Sequence, residues 1–236
     1  MKRYVLIPLV FLLVISFGCK SKHPSSVEIN EELDPNQISM ILVAPFVSSV
    51  TEAEDPDRKS EQIMNRILWE MISERQDYDF HSPNQFLSYV GRAKATDQYE
   101  QFQQIWIKDH RVDSEFLKAL QRSANYDMLL IPYVYLWHKD ETDYREVNTA
   151  SLTQIGVTLT MVDFKTGEIM WDALDENYKE AVRSEGNRVQ VSSAGMHRRV
   201  AGVSESGSDM YAAPPYEDVA ILVLRVLVDE IPSRGI

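Results

Sequence analysis

The order of apolar and polar positions predicts an α/β domain over residues 38–232. Continuous apolar runs at 40–46 and 128–137 are typical of buried strands, and Pro132 within the second run indicates a bulge or a sheet edge. Between these runs, apolar residues recur at helical spacing after N-cap residues. The expected elements between the two runs are a helix from Asp55, a short strand at 78–81, and helices from Ser82, near 101–107 and from Asp113.

A β-hairpin and a buried helix are predicted in the last third of the chain. Residues 151–163 alternate between apolar and polar positions, and a turn at Gly167 leads into a second alternating run. The stretch 219–231 is apolar on nearly every side but too short to span a bilayer core of ~30 Å, so we expect it inside the domain. The predicted fold is a single α/β (α+β) domain with a mixed sheet of about five strands, flanked by helices, and with a loop insert at 184–213.

The start of the chain resembles a bacterial lipoprotein signal. A short basic start precedes an apolar run at 5–15, and small residues then lead to Cys19, the only cysteine. This arrangement resembles the lipobox of bacterial lipoproteins, with Ser16 at the position where the lipobox has an aliphatic residue. We therefore expect a signal peptide over 1–18 and lipidation, including palmitate, at Cys19. The alternatives are an ordinary signal peptide and an uncleaved anchor.

The segment after the cysteine predicts a flexible connection between lipid and domain. Residues 20–37 are polar, contain two prolines and show no helical or strand periodicity, so residues 19–37 are interpreted as a lipidated cysteine and its tether. Lys20 and Ser21 stand where an aspartate retains lipoproteins at the inner membrane in some bacteria. We expect the protein to be anchored in the outer membrane and to face the periplasm.

The charge balance narrows the range of partners. The chain has 24 basic and 36 acidic residues, and removal of Lys2 and Arg3 with the signal leaves 22 basic residues and a net charge of −14. Such a surplus of acid disfavours nucleic-acid binding, which requires a basic surface. It also disfavours electrostatic adsorption to anionic lipid, so we expect the membrane contact to come from acyl chains.

Three segments of the predicted domain resemble one group of envelope lipoproteins. The first strand ends in Val-Ala-Pro-Phe at 43–46, and Ala-Asn-Tyr-Asp at 124–127 leads into the second, with Asn125 in place of the family's glycine or alanine. The hairpin matches the pattern Asp-x-x-Thr-Gly-x-x-x-Trp at Asp163, Thr166, Gly167 and Trp171. The chain resembles the domains related to the curli-secretion lipoprotein CsgG, the TolB amino-terminal domain and the peptidoglycan-synthase activator LpoB.

This resemblance covers roughly residues 38–183 and 214–232 and implies an interaction or assembly module. We therefore expect a docking or assembly component of an envelope machine, in cell-wall synthesis or secretion, with a protein partner in the envelope. One subgroup of the family forms a ring-shaped secretion pore, so an oligomeric channel subunit is the alternative, and the oligomeric state stays open. A periplasmic hydrolase is a further alternative from another class.

Aromatic and basic residues are the candidates for partner contact. Three aromatic residues at alternate positions of the second buried strand should share one face, and a tryptophan should lie on the outer side of the first helix. Exposed aromatic residues anchor protein interfaces, and packing into the core is the alternative. Two arginines in the insert would attract an acidic protein or a glycan, unless they are merely solvated. The candidates are Trp69, Tyr133, Tyr135, Trp137, Arg198 and Arg199.

Motifs for catalysis or metal binding are missing from the sequence. It has no glycine-rich phosphate loop, no Gly-x-Ser-x-Gly elbow and no dinucleotide fingerprint. Its histidines lack a second histidine or a cysteine at ligand spacing, and no carboxylate pair stands out for glycoside cleavage. The acidic residues at 52–57 lack the glycine and the closing glutamate of an EF-hand, and a helix start explains them. We expect no enzyme activity, no cofactor and no metal.

Overall fold

The computed structural model describes residues 26–141, 151–181 and 212–234, which form one mixed α/β domain. An open sheet of seven strands is flanked by five α-helices, so the predicted fold class is confirmed. The strands are β1 (Ser26–Ile29), β2 (Met40–Val43), β3 (Val47–Ser48), β4 (Asp79–His81), β5 (Met128–Asp140), β6 (Leu152–Asp163) and β7 (Ile169–Glu180). The helices are α1 (Lys59–Ile72), α2 (Pro83–Ala93), α3 (Thr96–Asp109), α4 (Ser114–Gln121) and α5 (Tyr216–Asp229).

The sheet combines an antiparallel and a parallel part that meet at β5. Its strand order is β1-β7-β6-β5-β2-β4, and β3 pairs with β5 beyond the end of β2. Strands β1, β7, β6 and β5 are antiparallel neighbours, whereas β2 and β3 run parallel to β5 and β4 runs parallel to β2. The expected count of five strands was low because β1 and β3 are short.

Pro132 lies in a central strand, so the expectation of a sheet edge at this residue was wrong. Leu130 pairs with Val43 in β2, and Tyr133 pairs with Val47 in β3, which places Pro132 opposite the interruption between these two strands. A proline has no N–H to donate, and it is tolerated where the ladder on one side is interrupted. The predicted bulge exists, but it comes later in β5.

The segment predicted to be a flexible tether contains an ordered strand. Strand β1 pairs antiparallel with β7, with Val27 opposite Ala173 and Ile29 opposite Trp171. A short 3₁₀ helix follows, capped by the carboxylate of Asp34. All four residues of β1 are exposed, so main-chain pairing rather than burial holds this strand, and hydrophobic periodicity cannot detect it. Residues 19–25 of the predicted tether lie outside the described residues.

Two hydrophobic clusters lie on opposite faces of the sheet. Helices α1 and α5 cover one face, where the first cluster includes Trp171 from β7 and Leu224 from α5. Helices α2, α3 and α4 cover the other face above β2 and β5, around Phe102 and Phe116. Among the described residues, the second cluster contains no residue of β7. The helical cover on that face therefore does not extend over the whole sheet.

Helix α1 begins later than predicted, but Asp55 still satisfies its first backbone donors. The helix starts at Lys59, and its N-cap residue Arg58 has a left-handed conformation with φ 49°. The Asp55 carboxylate accepts hydrogen bonds from the N–H groups of Lys59 and Ser60, both at 2.8 Å. The predicted starts of α2 at Ser82 and α4 at Asp113 are confirmed, because both side chains cap their helices.

The predicted hairpin is confirmed, and its turn is fixed by two residues of the quoted motif. Asp163 Oδ1 accepts hydrogen bonds from the N–H groups of Lys165 and Thr166, at 2.9 and 2.7 Å. Gly167 has φ 79°, a backbone conformation that other residues adopt poorly. Trp171 is fully buried at the start of the returning strand. These positions of the motif therefore stabilise the fold.

The predicted buried C-terminal helix corresponds to α5. One broad stripe of this helix packs on β6, β7 and α1, while Leu222 on its outer side is 41% exposed. Within the described ranges, no helix has the length and apolar character needed to cross a membrane. The predicted insert at 184–213 lies outside the described residues except for its last two positions.

Candidate functional site

A bulge in β5 divides the three aromatic residues that were predicted to share one face. Val134 pairs with Val157 and Leu136 pairs with Gly156, so Tyr135 is an extra residue in β5. An extra residue shifts the alternation of side chains by one position. Tyr133 and Tyr135 therefore face α2–α4, whereas Trp137 belongs to the core beneath α1 and α5. The prediction of one shared face was wrong for Trp137.

The two tryptophan candidates pack within the protein. Trp137 is 3% exposed and stacks on Tyr216 at the start of α5, with ring centroids 4.1 Å apart and planes 10° apart. Trp69 is half-buried and packs against the same cluster, so it does not project freely from the outer side of α1. Cys19, Arg198 and Arg199 lie outside the described residues, and their predicted roles stay predictions.

The Tyr135 ring lies directly over Gly156. A Cβ atom on Gly156 would come within 2.5 Å of Tyr135 Cζ and 2.8 Å of its hydroxyl oxygen. The Tyr135 hydroxyl donates to Glu176 Oε2 at 3.5 Å, and Gln154 Nε2 donates to Glu176 Oε1 at 2.5 Å. The absent side chain at Gly156 thus allows an aromatic ring to settle on β6 beside a carboxylate of β7.

Two further residues extend this arrangement along the same face. Tyr133 lies beside Tyr135, with ring centroids 6.3 Å apart, and the centroid of the His110 ring lies 5.3 Å from that of Tyr133. Asp172 lies on β7, where its carboxylate accepts a hydrogen bond from the Thr160 hydroxyl at 2.5 Å. We name the group the Tyr135 shelf, and it consists of Tyr133, Tyr135, Gly156, Asp172 and Glu176.

Burial alters the acid–base behaviour of two shelf residues. Burial raises the pKa of Tyr135 to about 12, and the nearby carboxylates of Glu176 and Asp175 add to this effect. Burial also raises the pKa of Asp172, although the hydrogen bond from Thr160 lowers it. The Tyr135 hydroxyl therefore stays protonated at neutral pH and can donate a hydrogen bond.

We expect the stability contribution of Asp172 to depend on pH. Since folding raises the pKa of its carboxyl above the ordinary value of 3.8, the protonated form favours the folded state, and this stabilisation is lost as pH rises through the raised pKa. The wild-type chain should therefore lose free energy of unfolding relative to Asp172→Asn as pH rises from 3.8 to 7. Urea unfolding at several pH values measures this difference.

Asp229→Asn, the same change of side chain at an exposed position of α5, is the matched control. A constant difference between wild type and Asp172→Asn across this pH range would contradict the predicted linkage.

The shelf combines aromatic and anionic character. Glu176 is exposed, and Glu28 of β1 lies opposite Asp172, so three carboxylates line this side of the sheet. In the part of the chain that the structure describes, none of the three forms an ion pair with a lysine or an arginine. A cationic group that does not belong to the described residues can therefore bind to these carboxylates.

A groove of about 210 Å³, separate from the shelf, is lined by several acidic residues that have structural roles. Asp127 Oδ2 accepts from the N–H groups of Ser39 and Met40, at 2.8 and 3.0 Å. The other two aspartates of the groove hold the 3₁₀ helix and the hairpin turn described above. Each of these carboxylates accepts hydrogen bonds from backbone N–H groups, so their positions follow from the fold.

His81 and the acidic segment before α1 also have structural partners. His81 contacts Asp79 through Nε2 at 3.2 Å and the hydroxyl of Tyr126 through Nδ1 at 2.9 Å. Glu54 accepts from the backbone and the hydroxyl of Thr51. Over the described ranges, no three side chains of the types His, Cys, Asp and Glu are grouped so that they could hold a metal ion.

Sequence reasoning found the tyrosines of the shelf but missed Gly156, Asp172 and Glu176. The available signal was the glycine, because a glycine inside a strand often marks a bulge or a close approach of another group. The two acidic residues have no local signal, since they meet the tyrosines only through pairing of β5, β6 and β7.

Comparison with known proteins gives structural likenesses only. No protein-family model matches the chain, and no curated protein matches it. Solved structures to which it is similar include the lipoprotein GNA1162 from Neisseria meningitidis, at 13% identity over 61% of this chain and 84% of that chain, with a TM-score of 0.36. The LpoB C-terminal domain from Salmonella enterica is 13% identical over 59% of this chain and 82% of that chain, with a TM-score of 0.31.

A third structure is the PelC dodecamer from Paraburkholderia phytofirmans, 14% identical over 86% of this chain and 92% of that chain, with a TM-score of 0.37. The similar structures thus include a lipoprotein and the LpoB C-terminal domain, whereas a relation to CsgG or TolB is not shown. Likeness at these scores carries no argument about the role of this chain.

Proposed function

We propose that this chain is a lipid-anchored envelope lipoprotein that docks a partner protein through the Tyr135 shelf. In this proposal, acyl chains on Cys19 hold the protein in the outer membrane, facing the periplasm. Its role is that of a docking or assembly component of an envelope machine, in cell-wall synthesis or secretion, and it has no enzyme activity.

The Tyr135 shelf is the observation that carries the proposal. Tyrosine is enriched among the residues that dominate binding energy at protein interfaces, because its ring supplies area at a low entropic cost and its hydroxyl supplies a hydrogen bond. Tyr135 is half-buried, is held over Gly156 and lies beside the exposed carboxylate of Glu176. A residue that is fixed in this way loses little conformational freedom when a partner binds.

The three aspartates of the acidic groove have structural roles, so they give no support to the alternative of a hydrolase. A general acid must give a proton to its substrate, and a general base must accept one from it. Asp34, Asp127 and Asp163 instead accept hydrogen bonds from backbone N–H groups that hold a helix cap, the β2–β5 pair and a turn.

The early start of β1 places the domain close to the proposed anchor. Only seven peptide units separate Cys19 from Ser26, and an extended chain spans at most about 3.6 Å per residue. The start of β1 can therefore lie no more than about 25 Å from the lipidated residue. Because β1 pairs with β7, which carries Asp172 and Glu176, a partner at the membrane surface can reach the shelf.

Site-specific crosslinking in the cells that produce the protein tests this proposal. A photoreactive benzoylphenylalanine replaces Tyr178, which is 58% exposed on β7 opposite Gln154, next to the shelf. We expect one dominant adduct with an envelope protein, and we expect this adduct to be lost with Tyr135→Leu or with Cys19→Ser.

The matched control places the same probe at Glu70, an exposed position of α1 on the other side of the sheet. Equal adducts from both positions, or adducts that survive Tyr135→Leu, would contradict docking at the shelf. Adducts between copies of this chain alone would favour the alternative of an oligomeric channel subunit.

A further inference from the structure

We propose that the Tyr135 shelf binds an arginine side chain of its partner protein. The guanidinium would stack on the Tyr135 ring and donate hydrogen bonds to the carboxylate of Glu176. This inference rests on the proposed docking function and specifies the chemistry of the partner.

The position of the ring provides the stacking surface. One side of the Tyr135 ring is occupied by Gly156, where a Cβ atom would lie 2.5 Å from the ring, so the opposite side is directed away from β6. The bulge at Tyr135 and the hydrogen bond to Glu176 hold this orientation. A planar cation attracts the face of a tyrosine ring, and arginine takes part in such contacts more often than lysine.

The Glu176 carboxylate provides the hydrogen-bond acceptors. Each oxygen of an ionised carboxylate can accept more than one hydrogen bond. Glu176 accepts one from Gln154 and a long one of 3.5 Å from Tyr135, so it retains acceptor capacity. A guanidinium has five donors in one plane, so it can stack on a ring face while its N–H groups donate to one carboxylate.

Charge complementarity selects a cationic occupant over an anionic one. The chain has a formal net charge of −12, and Glu28 adds a third carboxylate beside Asp172. Within the described residues, no lysine or arginine is paired with these carboxylates. An acidic lipid headgroup or an acidic peptide would be repelled from this surface, whereas an arginine-bearing protein segment would be attracted.

Two labelled peptides of equal charge test the inference on the full-length chain in detergent micelles. One peptide carries four arginines separated by glycine and serine, and the other carries four lysines at the same positions. We expect the arginine peptide to bind about tenfold more tightly by fluorescence anisotropy. Tyr135→Leu and Glu176→Gln should each reduce its affinity to about that of the lysine peptide.

Glu70→Gln is the matched control, since it removes one negative charge from an exposed position remote from the shelf. It should leave the arginine preference unchanged. Glu176→Gln keeps the test valid if Tyr135→Leu impairs folding, because Glu176 is exposed and its replacement preserves the side-chain shape. Equal binding of both peptides, unchanged by Glu176→Gln, would overturn the inference.

Another outcome identifies a different occupant. If the wild-type chain binds neither peptide but Arg198→Ser together with Arg199→Ser restores binding, an arginine of the chain itself occupies the shelf, and the partner assignment is wrong. The crosslinking result separates this inference from the docking proposal. Adducts from Tyr178 without an arginine preference would leave docking intact and overturn the arginine chemistry. An arginine preference without adducts would contradict docking in the cell, and the inference would then hold only for the binding of arginine to the shelf in solution.

Discussion

Replacing Arg75 with alanine is expected to destabilise the domain by about 3 kcal/mol, because it leaves several acceptors without a donor. The Arg75 guanidinium donates to both oxygens of Asp77, at 3.0 and 2.5 Å, and to the carbonyl oxygen of Val228 at 2.6 Å. It also reaches the carbonyl oxygen of Ile231 at 3.3 Å. Only 17% of the Arg75 side chain and 20% of the Asp77 side chain are exposed, so water cannot fully replace these bonds.

Urea unfolding of the full-length chain in detergent, followed by circular dichroism, measures this loss. Arg66→Ala is the matched control, because the Arg66–Glu70 pair has a separation of 3.5 Å with both side chains more than half exposed. Such pairs contribute about 0.5 kcal/mol or less. The loss of stability for Arg75→Lys should fall between the losses for Arg75→Ala and Arg66→Ala, since lysine keeps the charge but lacks the planar guanidinium. A cost for Arg75→Ala no larger than for Arg66→Ala would show that this contact does not stabilise the fold.

The contact of Arg75 explains how the last helix is attached to the rest of the domain. Its acceptor Val228 lies in the last turn of α5, where the carbonyl groups of a helix have no partner within the helix, and Ile231 lies two residues beyond the end of α5. The hydroxyl of Tyr78 donates to the carbonyl oxygen of Pro232 at 2.6 Å and adds a second link. Both donors come from the segment that joins α1 to β4, so this segment is bonded to the C-terminal end of α5 and to the residues that follow it.

The elements that sequence reasoning predicted well are those whose signal is local. The turn between β6 and β7 needs a residue that tolerates positive φ and an acceptor for two N–H groups, and Gly167 and Asp163 supply these within five residues. Helix α4 carries its cap at Asp113 and a buried stripe at Phe116 and Leu120. Such features depend on neighbours in the chain, and pattern analysis can therefore detect them.

The features that it missed depend on partners distant in the chain. Strand β1 exposes all its side chains and is recognised only through its pairing with β7. The bulge at Tyr135 appears only when β5 is aligned with β6, and it alone decides that Trp137 enters the core while Tyr135 stays half-buried. The shelf therefore became visible as a site only after the three strands were placed side by side.

Gly156→Ala is expected to destabilise the domain by about 2 kcal/mol, because the new Cβ atom would overlap the Tyr135 ring. The closest approaches would be 2.5 Å to Cζ, 2.6 Å to Cε2 and 2.8 Å to the hydroxyl oxygen, all shorter than van der Waals contact. The ring must then leave β6, and its hydrogen bond to Glu176 is lost. Urea unfolding of the single variant measures the cost.

Gly156→Ala should have the opposite effect on the free energy of unfolding in a variant that lacks the Tyr135 ring. In the Tyr135→Ala background, the ring that a Cβ atom at position 156 would overlap is absent. Alanine is favoured over glycine inside a strand by about 0.5–1 kcal/mol. Gly156→Ala should therefore stabilise the Tyr135→Ala variant. A double-mutant cycle gives the coupling between the two sites, which we expect to be about 2–3 kcal/mol.

This reversal of sign separates close packing of the pair from an independent effect of either residue. If Gly156→Ala costs the same free energy in both backgrounds, the glycine is required for the backbone of β6, and the ring does not depend on it. A large coupling instead shows that the missing side chain at Gly156 holds Tyr135 in place. The docking surface would then depend on a glycine that contacts no partner, and Gly156→Ala would weaken crosslinking from Tyr178 without changing any residue exposed on the shelf.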